Sequence, residues 1–547
     1  MSTLLVANVQ FDAGGSNKIY YDGANLNITS ANAVISGRLT ANAMYAPSYY
    51  DSSNTSFYVD PAANSVMAGL RVTQMGLNNI TSMSKAQLNG FLMVINGKVF
   101  TCHGNNGTWG YYTSGRGTTG TSPVYGFNSM RVVNFPGETG TLTKAGVCGD
   151  SVAYALFSTG NLYTWGFNAN GQTGLNSTAV VAVPTLAATS VTNVWDHPSN
   201  NDYSGDNTRL FIKKTDNYIY ATGYNGYGQL GDTTTVSKQV FTQLTGLGTT
   251  VTSVWPIGST YGFTFFQKAD NSIWACGYNG YGALGNATTT NQATPVDVTT
   301  NWGGLTGSAR VIKKVIGGSG GHDGTTAYSY GWAVMLLDDG TTTYLRSAGY
   351  NGAGSVGNGT TTASSISTPI TPAVGAGRIT TISGGGGAAG SGTTMVLMAS
   401  GAMYNWGYNG YGQLGDGTTT NNGTPTQRVA SGVTGIYYDY TNHVQGWITA
   451  AFYSTSTALY GAGYNGYGQL GVGDTTNRSS FTRVLLPQDF VVSDIGSFNS
   501  TYPVASYLAI GTDGRMYAWG YNGQYNISPD TTNNCLAPVQ INLPLGA

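Results

Sequence analysis

The sequence predicts an all-β fold assembled from repeated four-stranded units, and three observations carry that reading. A glycine-rich string recurs at near-constant intervals, each interval contains hairpin chemistry, and the composition supplies turns rather than charge. Of 547 residues 81 are Gly and only 8% are charged, against about 25% in an average globular protein. Aromatic residues at 12% and only 16 Pro exclude a collagenous or disordered chain.

The string is GYNGYGQLG at Gly223, Gly407 and Gly463, and GYNGYGALG at Gly277. Weaker copies are GFNANGQTG at Gly166, GYNGAGSVG at Gly349, GYNGQYNIS at Gly520 and GNNGTWG at Gly104. Eight copies whose starts lie 54 to 72 residues apart mark a repeat architecture. Before the string come an apolar run, a tight turn and an alternating strand, as in Phe263 to Gln267, Asp270-Asn271 and Ser272 to Cys276. Other intervals turn at Asn96-Gly97, Asp216-Asn217, Asp339-Gly340, Ser400-Gly401 and Asp513-Gly514, mostly residues that tolerate positive φ. Each is read as a β-hairpin. A further strand precedes it (Val191 to Trp195, Val251 to Trp255, Val311 to Ile316, Arg378 to Ile382, Val433 to Tyr438). A Thr/Asn-rich loop and an edge-like segment follow the string, the latter often led by Pro, as at Pro184, Pro295, Pro369, Pro425 and Pro538. Four short strands per interval is the layout of a propeller blade, and Pro fits an outer edge that can lack a donor.

Within the string the expected roles are architectural. Gly223, Gly228, Gly277, Gly407 and Gly463 supply positive φ and close backbone approach. Asn225, Asn279, Asn409 and Asn465 bond their own backbone in Asx-turns. Leu230, Leu284, Leu414 and Leu470 plug core between blades, while Tyr224, Tyr278, Tyr408 and Tyr464 pack at blade junctions with hydroxyls toward solvent. GYGQLG at Gly226, Gly410 and Gly466 formally matches a dinucleotide fingerprint, but no helix follows to receive a pyrophosphate, so nucleotide binding is rejected.

On these residues the chain resembles the regulator of chromosome condensation repeat family over roughly residues 79 to 547. The resemblance implies a closed β-propeller. That family is usually described as seven-bladed, whereas eight strings are legible here; the expectation is eight blades, with seven and an irregular copy at Gly104 as the alternative.

Residues 1–78 form a separate segment and linker. Up to about residue 72 the period is broken and short strands alternate with Asp-Gly, Asn and Pro turns. The segment is too small and polar to bury a core alone and has no Cys before Cys102, so it is expected to assemble with other copies. YAPSYYDSSNTSFYVDPAANS, Tyr45 to Ser65, resembles a segment of bacteriophage tail-fibre and other virion structural proteins in which three chains wrap into a shaft. The resemblance implies a homotrimer that attaches through its N-terminus to other tail proteins.

Catalytic chemistry is thin. With 22 basic and 23 acidic residues the net charge is −1, so no positive field attracts nucleic acid or anionic membrane. The N-terminal residues MSTLLVANVQFDAGG lack a basic n-region, and no apolar run approaches the 18 or so residues of a membrane span. Cys102, Cys148, Cys276 and Cys535 are dispersed and read as reduced thiols. The acidic set holds a single Glu, Glu138, in a PGETG turn, and the adjacent Asp338 and Asp339 read as turn formers rather than a glycosidase pair. Asn200, Asp202, Ser204 and Gly205 faintly echo a calcium loop, but its twelfth position is Phe211 instead of a bidentate Glu. His103, His197, His322 and His443 are isolated. Neither a cofactor nor a metal site is expected.

Recognition is instead expected in loops that depart from the period, where aromatics on Gly/Ser/Asn-rich backbone give contact area at low entropy cost and stack on sugars. The candidates are Trp109, Tyr111, Tyr112 and Arg116; Asp202 and Tyr203; and Trp302, His322, Tyr328 and Tyr330 in the longest interval. The alternative for each is packing within its own loop. The combined expectation is a non-enzymatic tail-fibre-like virion protein, made in the host cytoplasm, that adheres to a host cell-surface glycan or protein. A structural decoration protein and a surface-polysaccharide-degrading enzyme are the alternatives.

Overall fold

The computed structural model describes residues 80–86, 90–103, 131–149, 152–196, 207–258, 260–303, 310–319, 329–370, 377–386, 392–438, 450–498, 505–523, 527–528 and 531–541, with short strands at 9–10, 18–21, 26–29, 34–35, 49–50 and 58–59. The chain divides into two units, Met1–Met75 and Gly76–Ala547. In the first, Lys18–Tyr21 pairs with Leu26–Thr29, and two shorter antiparallel pairs join Val9–Gln10 to Val34–Ile35 and Tyr49–Tyr50 to Tyr58–Val59.

In the second unit the described residues form eight four-stranded antiparallel sheets, each built in chain order from one contiguous stretch. From the N-terminal side these blades span residues 80–132, 142–188, 191–243, 251–297, 311–369, 379–429, 433–483 and 492–541. Blade 4 shows the pattern: Val251–Ile257, Phe263–Lys268, Ile273–Gly277 and Gln292–Asp297. The second and third strands are buried and apolar, whereas the fourth is largely exposed. The hairpins turn where expected, with Asn96, Asn217 and Asn271 at positive φ. The Pro residues lie within the outer strands rather than leading them: Pro184, Pro295, Pro425 and Pro538 are each fourth in their strand, and Pro369 is last. On the outermost strand a missing donor costs no ladder bond.

First strands are neighbours from blade 3 through blade 7, and Ile80–Ala86 of blade 1 lies beside both Leu142–Cys148 of blade 2 and Val492–Phe498 of blade 8. The ring therefore closes with eight blades, one more than the resemblance usually implies. Eight apolar clusters fill the junctions. At the closing seam Met93, Ile95 and Phe100 of blade 1 meet Leu508, Ile510 and Met516 of blade 8. Among the described residues no strand is shared across that seam. A buried cation spans the junction between blades 3 and 4, where the Arg209 guanidinium donates to the carbonyls of Ile257 (2.6 Å), Gly258 (2.8 Å) and Phe263 (3.2 Å). Burial lowers its pKa to about 10, which leaves it charged at neutral pH.

Each first strand carries a register shift after its first or second pair, as at Val191/Asn193, Val251/Ser253 and Val492/Asp494. The bulged hydroxyls donate across the strand, Thr192 to Lys213 O, Thr252 to Gln267 O and Ser493 to Ile510 O. A bulge increases local twist, and its recurrence gives every blade the same bend.

The recurrent string is the loop between third and fourth strands. Leu230, Leu284, Leu414 and Leu470 are fully buried, as the sequence predicts, and so are Asn225, Asn279, Asn409 and Asn465. The asparagines reach further than an Asx-turn. Asn225 Oδ1 accepts from Leu230 N at 2.9 Å, while its Nδ2 donates to Asp232 Oδ1 (2.8 Å) and Thr234 O (2.9 Å). One side chain thus pins both arms of the loop, and the geometry repeats at Asn279, Asn351, Asn409 and Asn465. The pinned loop presses on the next blade: a Cβ at Gly228, which has φ +79°, would overlap Cα of Ala293 in the outer strand of blade 4.

Asn409→Ala is expected to destabilise the ring by about 2–4 kcal/mol, because Leu414 N and the loop carbonyls lose their buried partner. Gly228→Ala is expected to lower the thermal midpoint through both backbone strain and the overlap with blade 4. Thermal unfolding followed by circular dichroism checks both; an unchanged midpoint for either would contradict the assigned role.

Candidate recognition face

In an antiparallel meander the connections between first and second strands and between third and fourth strands emerge on one side. That side carries the string loops, and backbone bonds tie the two connections together. Tyr278 N donates to Gly262 O at 3.0 Å, and Tyr350 N to Gly331 O at 2.7 Å. The residues just before the second strands, Tyr261 and Tyr330, are thereby held beside the string tyrosines of their own blades.

The result is two clusters of the same construction. At the junction of blades 3 and 4, Tyr227, Tyr261 and Tyr278 have centroids 5.0 to 5.3 Å apart. At the junction of blades 4 and 5, Tyr281, Tyr330 and Tyr350 have centroids 4.3 to 5.5 Å apart. Each takes one ring from the fifth position of a string, one from the second position of the next string, and one from the start of a second strand. Five of the six are half-buried, and Tyr278 is buried. Tyr411 with Tyr464, and Tyr467 with Tyr521, continue the theme further round. Burial, with further contributions from neighbouring phenols, pushes the hydroxyls of Tyr227 and Tyr350 up, so they stay neutral at physiological pH. At Tyr278 burial also raises the pKa, against a hydrogen bond with Ser329.

Of the string tyrosines, Tyr278 and Tyr464 pack at blade junctions, against Tyr227 and Tyr411. The hydroxyls of Tyr224, Tyr278, Tyr408 and Tyr464 fold over the glycine two residues on, where a Cβ would collide with them. Of the loop candidates, Trp109, Tyr111, Tyr112, Arg116, Asp202, Tyr203, His322 and Tyr328 lie outside the described residues, as does the calcium-like loop. Trp302 is corrected: it is fully buried, donates from Nε1 to Leu284 O at 2.8 Å and packs edge-on against Phe265, so its ring meets no solvent. Tyr330 alone of the described candidates stands on this face. Tyr227, Tyr261 and Tyr281 were not among the sequence candidates. Their signal was available, in the second Tyr of the string and in Tyr-Gly-aromatic at 261–263 and 330–332.

The described carboxylates are engaged in structure. Asp338 bonds Arg378 through both oxygens and Asp339 caps its turn, while Glu138 accepts from Gly140 N, Thr159 and Asn161. Among the described residues no group of three His, Cys, Asp or Glu could hold a metal ion, and no helix is long and apolar enough to cross a membrane. Cys148 and Cys276 are buried thiols and Cys535 is half-buried. Beneath the face, three string loops carry an ion pair: Asp232 with Lys238 (2.8 Å), Asp416 with Arg428 (3.2 Å) and Asp474 with Arg478 (2.5 Å). In blades 4 and 5 Asn286 and Asn358 replace the Asp, and no base faces them from the fourth strand at the matching positions Gln292 and Ser364.

Fold and face together define a β-propeller whose blades are joined by repeated Gly-Tyr-Asn loops. Two of its stretches match a family model: that of the "Regulator of chromosome condensation (RCC1) repeat" at residues 159–196 and 400–434. The chain is 27% identical over 321 residues to the ultraviolet-B receptor UVR8 of Arabidopsis thaliana, covering 58% of this chain and 64% of that protein. It is 27% identical over 158 residues to the X-linked retinitis pigmentosa GTPase regulator of Mus musculus, covering 27% of this chain and 14% of that protein. The matches thus span less than two thirds of these relatives. Among solved structures it is similar to Prp20p of Saccharomyces cerevisiae, with a TM-score of 0.45 and 16% identity over 65% of this chain and 80% of that one. Human WBSCR16 gives a TM-score of 0.44 and 16% identity over 67% and 86%.

Stability is expected to fall in acid through the string carboxylates. Burial alone would raise Asp232 and Asp416, but hydrogen bonds and the paired bases outweigh it, and both lie below the ordinary carboxylate value. A depressed folded-state pKa contributes stability that is complete above the unfolded value near 4 and is lost as pH falls through the folded value. The thermal midpoint of the wild type should therefore drop below about pH 4, and Asp416→Asn with Arg428→Gln should flatten that drop in a series of melts from pH 7 to 2.

Proposed function

We propose that the protein is a non-enzymatic, tail-fibre-like virion protein that adheres to a host cell surface through the loops of its propeller, with the N-terminal segment attaching it to other tail proteins as a homotrimer. The observation that carries the adhesive part is the tyrosine-lined face, which presents half-buried rings on a rigid scaffold and has no catalytic carboxylate pair beside it among the described residues. The attachment part rests on the sequence of Tyr45 to Ser65. Three weak sites on one trimer would raise avidity by orders of magnitude. A role in GTPase regulation, which the names of some relatives raise, finds no support in the near-neutral charge or in the N-terminal segment, and fold alone does not carry function.

Incubating the full-length protein with intact bacterial cells and with their isolated envelope polysaccharide is expected to give adsorption without release of reducing sugar. Release would favour the polysaccharide-degrading alternative, and absence of adsorption the decoration protein. Light scattering in solution is expected to report three chains per particle, falling to one when residues 1–72 are deleted; a monomeric full-length chain would refute the shaft.

A further inference from the structure

We propose that the six-ring arc Tyr227, Tyr261, Tyr278, Tyr281, Tyr330 and Tyr350 is a binding surface for a neutral oligosaccharide of at least two sugar units. The inference rests on the adhesive reading above and narrows it to one chemistry and one place on the ring.

Four observations converge on it. The rings form two clusters of the same make-up rather than a continuous apolar core, and all of them but the buried Tyr278 remain partly accessible. Tyr278 and Tyr281 belong to one nine-residue string, so the clusters are joined by a single rigid loop whose Asn279 is fully buried and bonded to Leu284 N and Thr288 O. A pair of like sites on one rigid support matches a ligand that repeats. The string loops that carry four of the rings bring no fixed charge to the surface: the strings at Gly223, Gly277 and Gly349 contain no Asp, Glu, Lys or Arg, and Asp232 beside them is spent on Lys238. A phenol combines an apolar face for the C–H side of a pyranose with a hydroxyl that donates and accepts. Without a cation in these strings, a uronic or sialic acid would lose hydration and gain no partner. Tyr is also enriched among protein-interface anchors, so a protein ligand is the competing occupant, and absence of binding to every neutral glycan is its outcome in the test.

Each ring also has a reason to be fixed before the ligand arrives. Tyr278 and Tyr350 are tethered through their backbone N–H to the residue before the second strand, and Tyr227 meets the Tyr261 ring through its hydroxyl as well as its face. Prepaid ordering of this kind lowers the entropy cost of binding.

The test uses the full chain on an immobilised panel of neutral oligosaccharides (glucose, galactose, mannose and N-acetylglucosamine polymers) beside sialylated and uronic-acid glycans. Wild type is expected to bind one or more neutral members and not the acidic ones. Tyr281→Ala with Tyr330→Ala should weaken that binding by about tenfold or more, while Tyr281→Phe with Tyr330→Phe, which keeps the rings, should retain most of it. Unchanged thermal midpoints establish folding; should the double Ala variant melt early, Tyr330→Ala alone, outside the string, is the substitute. Binding confined to acidic glycans, binding unaffected by the Ala variants, or no binding to any neutral glycan overturns the proposal. The same variants on intact cells separate the two claims. Adsorption that persists in the Ala variants leaves adhesion standing and removes the arc, whereas neutral-glycan binding without adsorption to cells leaves the arc and removes the adhesive role.

Discussion

The ring depends on a buried amide. In a protein with 81 glycines the loops between third and fourth strands have every opportunity to be soft, and a soft loop would be useless for joining blades. The fully buried Asn at the third position of the strings from Gly166 to Gly463 removes that freedom by accepting from a backbone N–H five residues on and donating to carbonyls nine and eleven residues on. Since a buried amide left without partners costs more than its bonds contribute when made, the loop has one acceptable shape. That shape brings a glycine against the outer strand of the next blade and drops a Leu into the junction core.

Rigid junctions explain how tyrosines can be both structural and available. Their backbone N–H groups hold the start of the second strand, their hydroxyls cover a glycine of their own loop, and the remaining part of each ring meets a neighbour from the adjacent blade. Blade 5 departs from this scheme, with Ala353 and Ser355 where other strings place Tyr and Gln, and the described tyrosine clusters stop there before resuming at Tyr411 and Tyr464. The face is therefore uneven around the ring even though the sheets beneath it are alike.

Much of the architecture was legible because it is written in repetition. Hairpin turns such as Asp216-Asn217 and core residues such as Leu230 follow from local chemistry that recurs eight times, so a single weak copy is rescued by the others. The bulges were missed although Val-Thr-Asn-Val at 191–194 and Val-Thr-Ser-Val at 251–254 share a pattern, because a strand signal says nothing about register. Asn225 was assigned a local turn since its partners, up to eleven residues away, become neighbours only when the loop closes. The site was harder. Trp302 looked like an exposed aromatic on an irregular loop, but its side chain is fully buried and the indole finds Leu284 O. Tyr281 looked architectural because it sits in the repeat, yet only three-dimensional neighbours such as Tyr330 reveal that its ring joins a surface cluster.

The seam between blades 8 and 1 has a consequence for how such rings change over generations. Because each sheet is made from one uninterrupted stretch of chain and the seam is closed by side chains such as Met93 and Leu508, duplication or loss of a whole repeat requires no strand to be exchanged between the two ends. Unequal recombination can therefore add or delete blades as complete modules, and an eight-bladed member can arise from a shorter ancestor with its closure chemistry already in place.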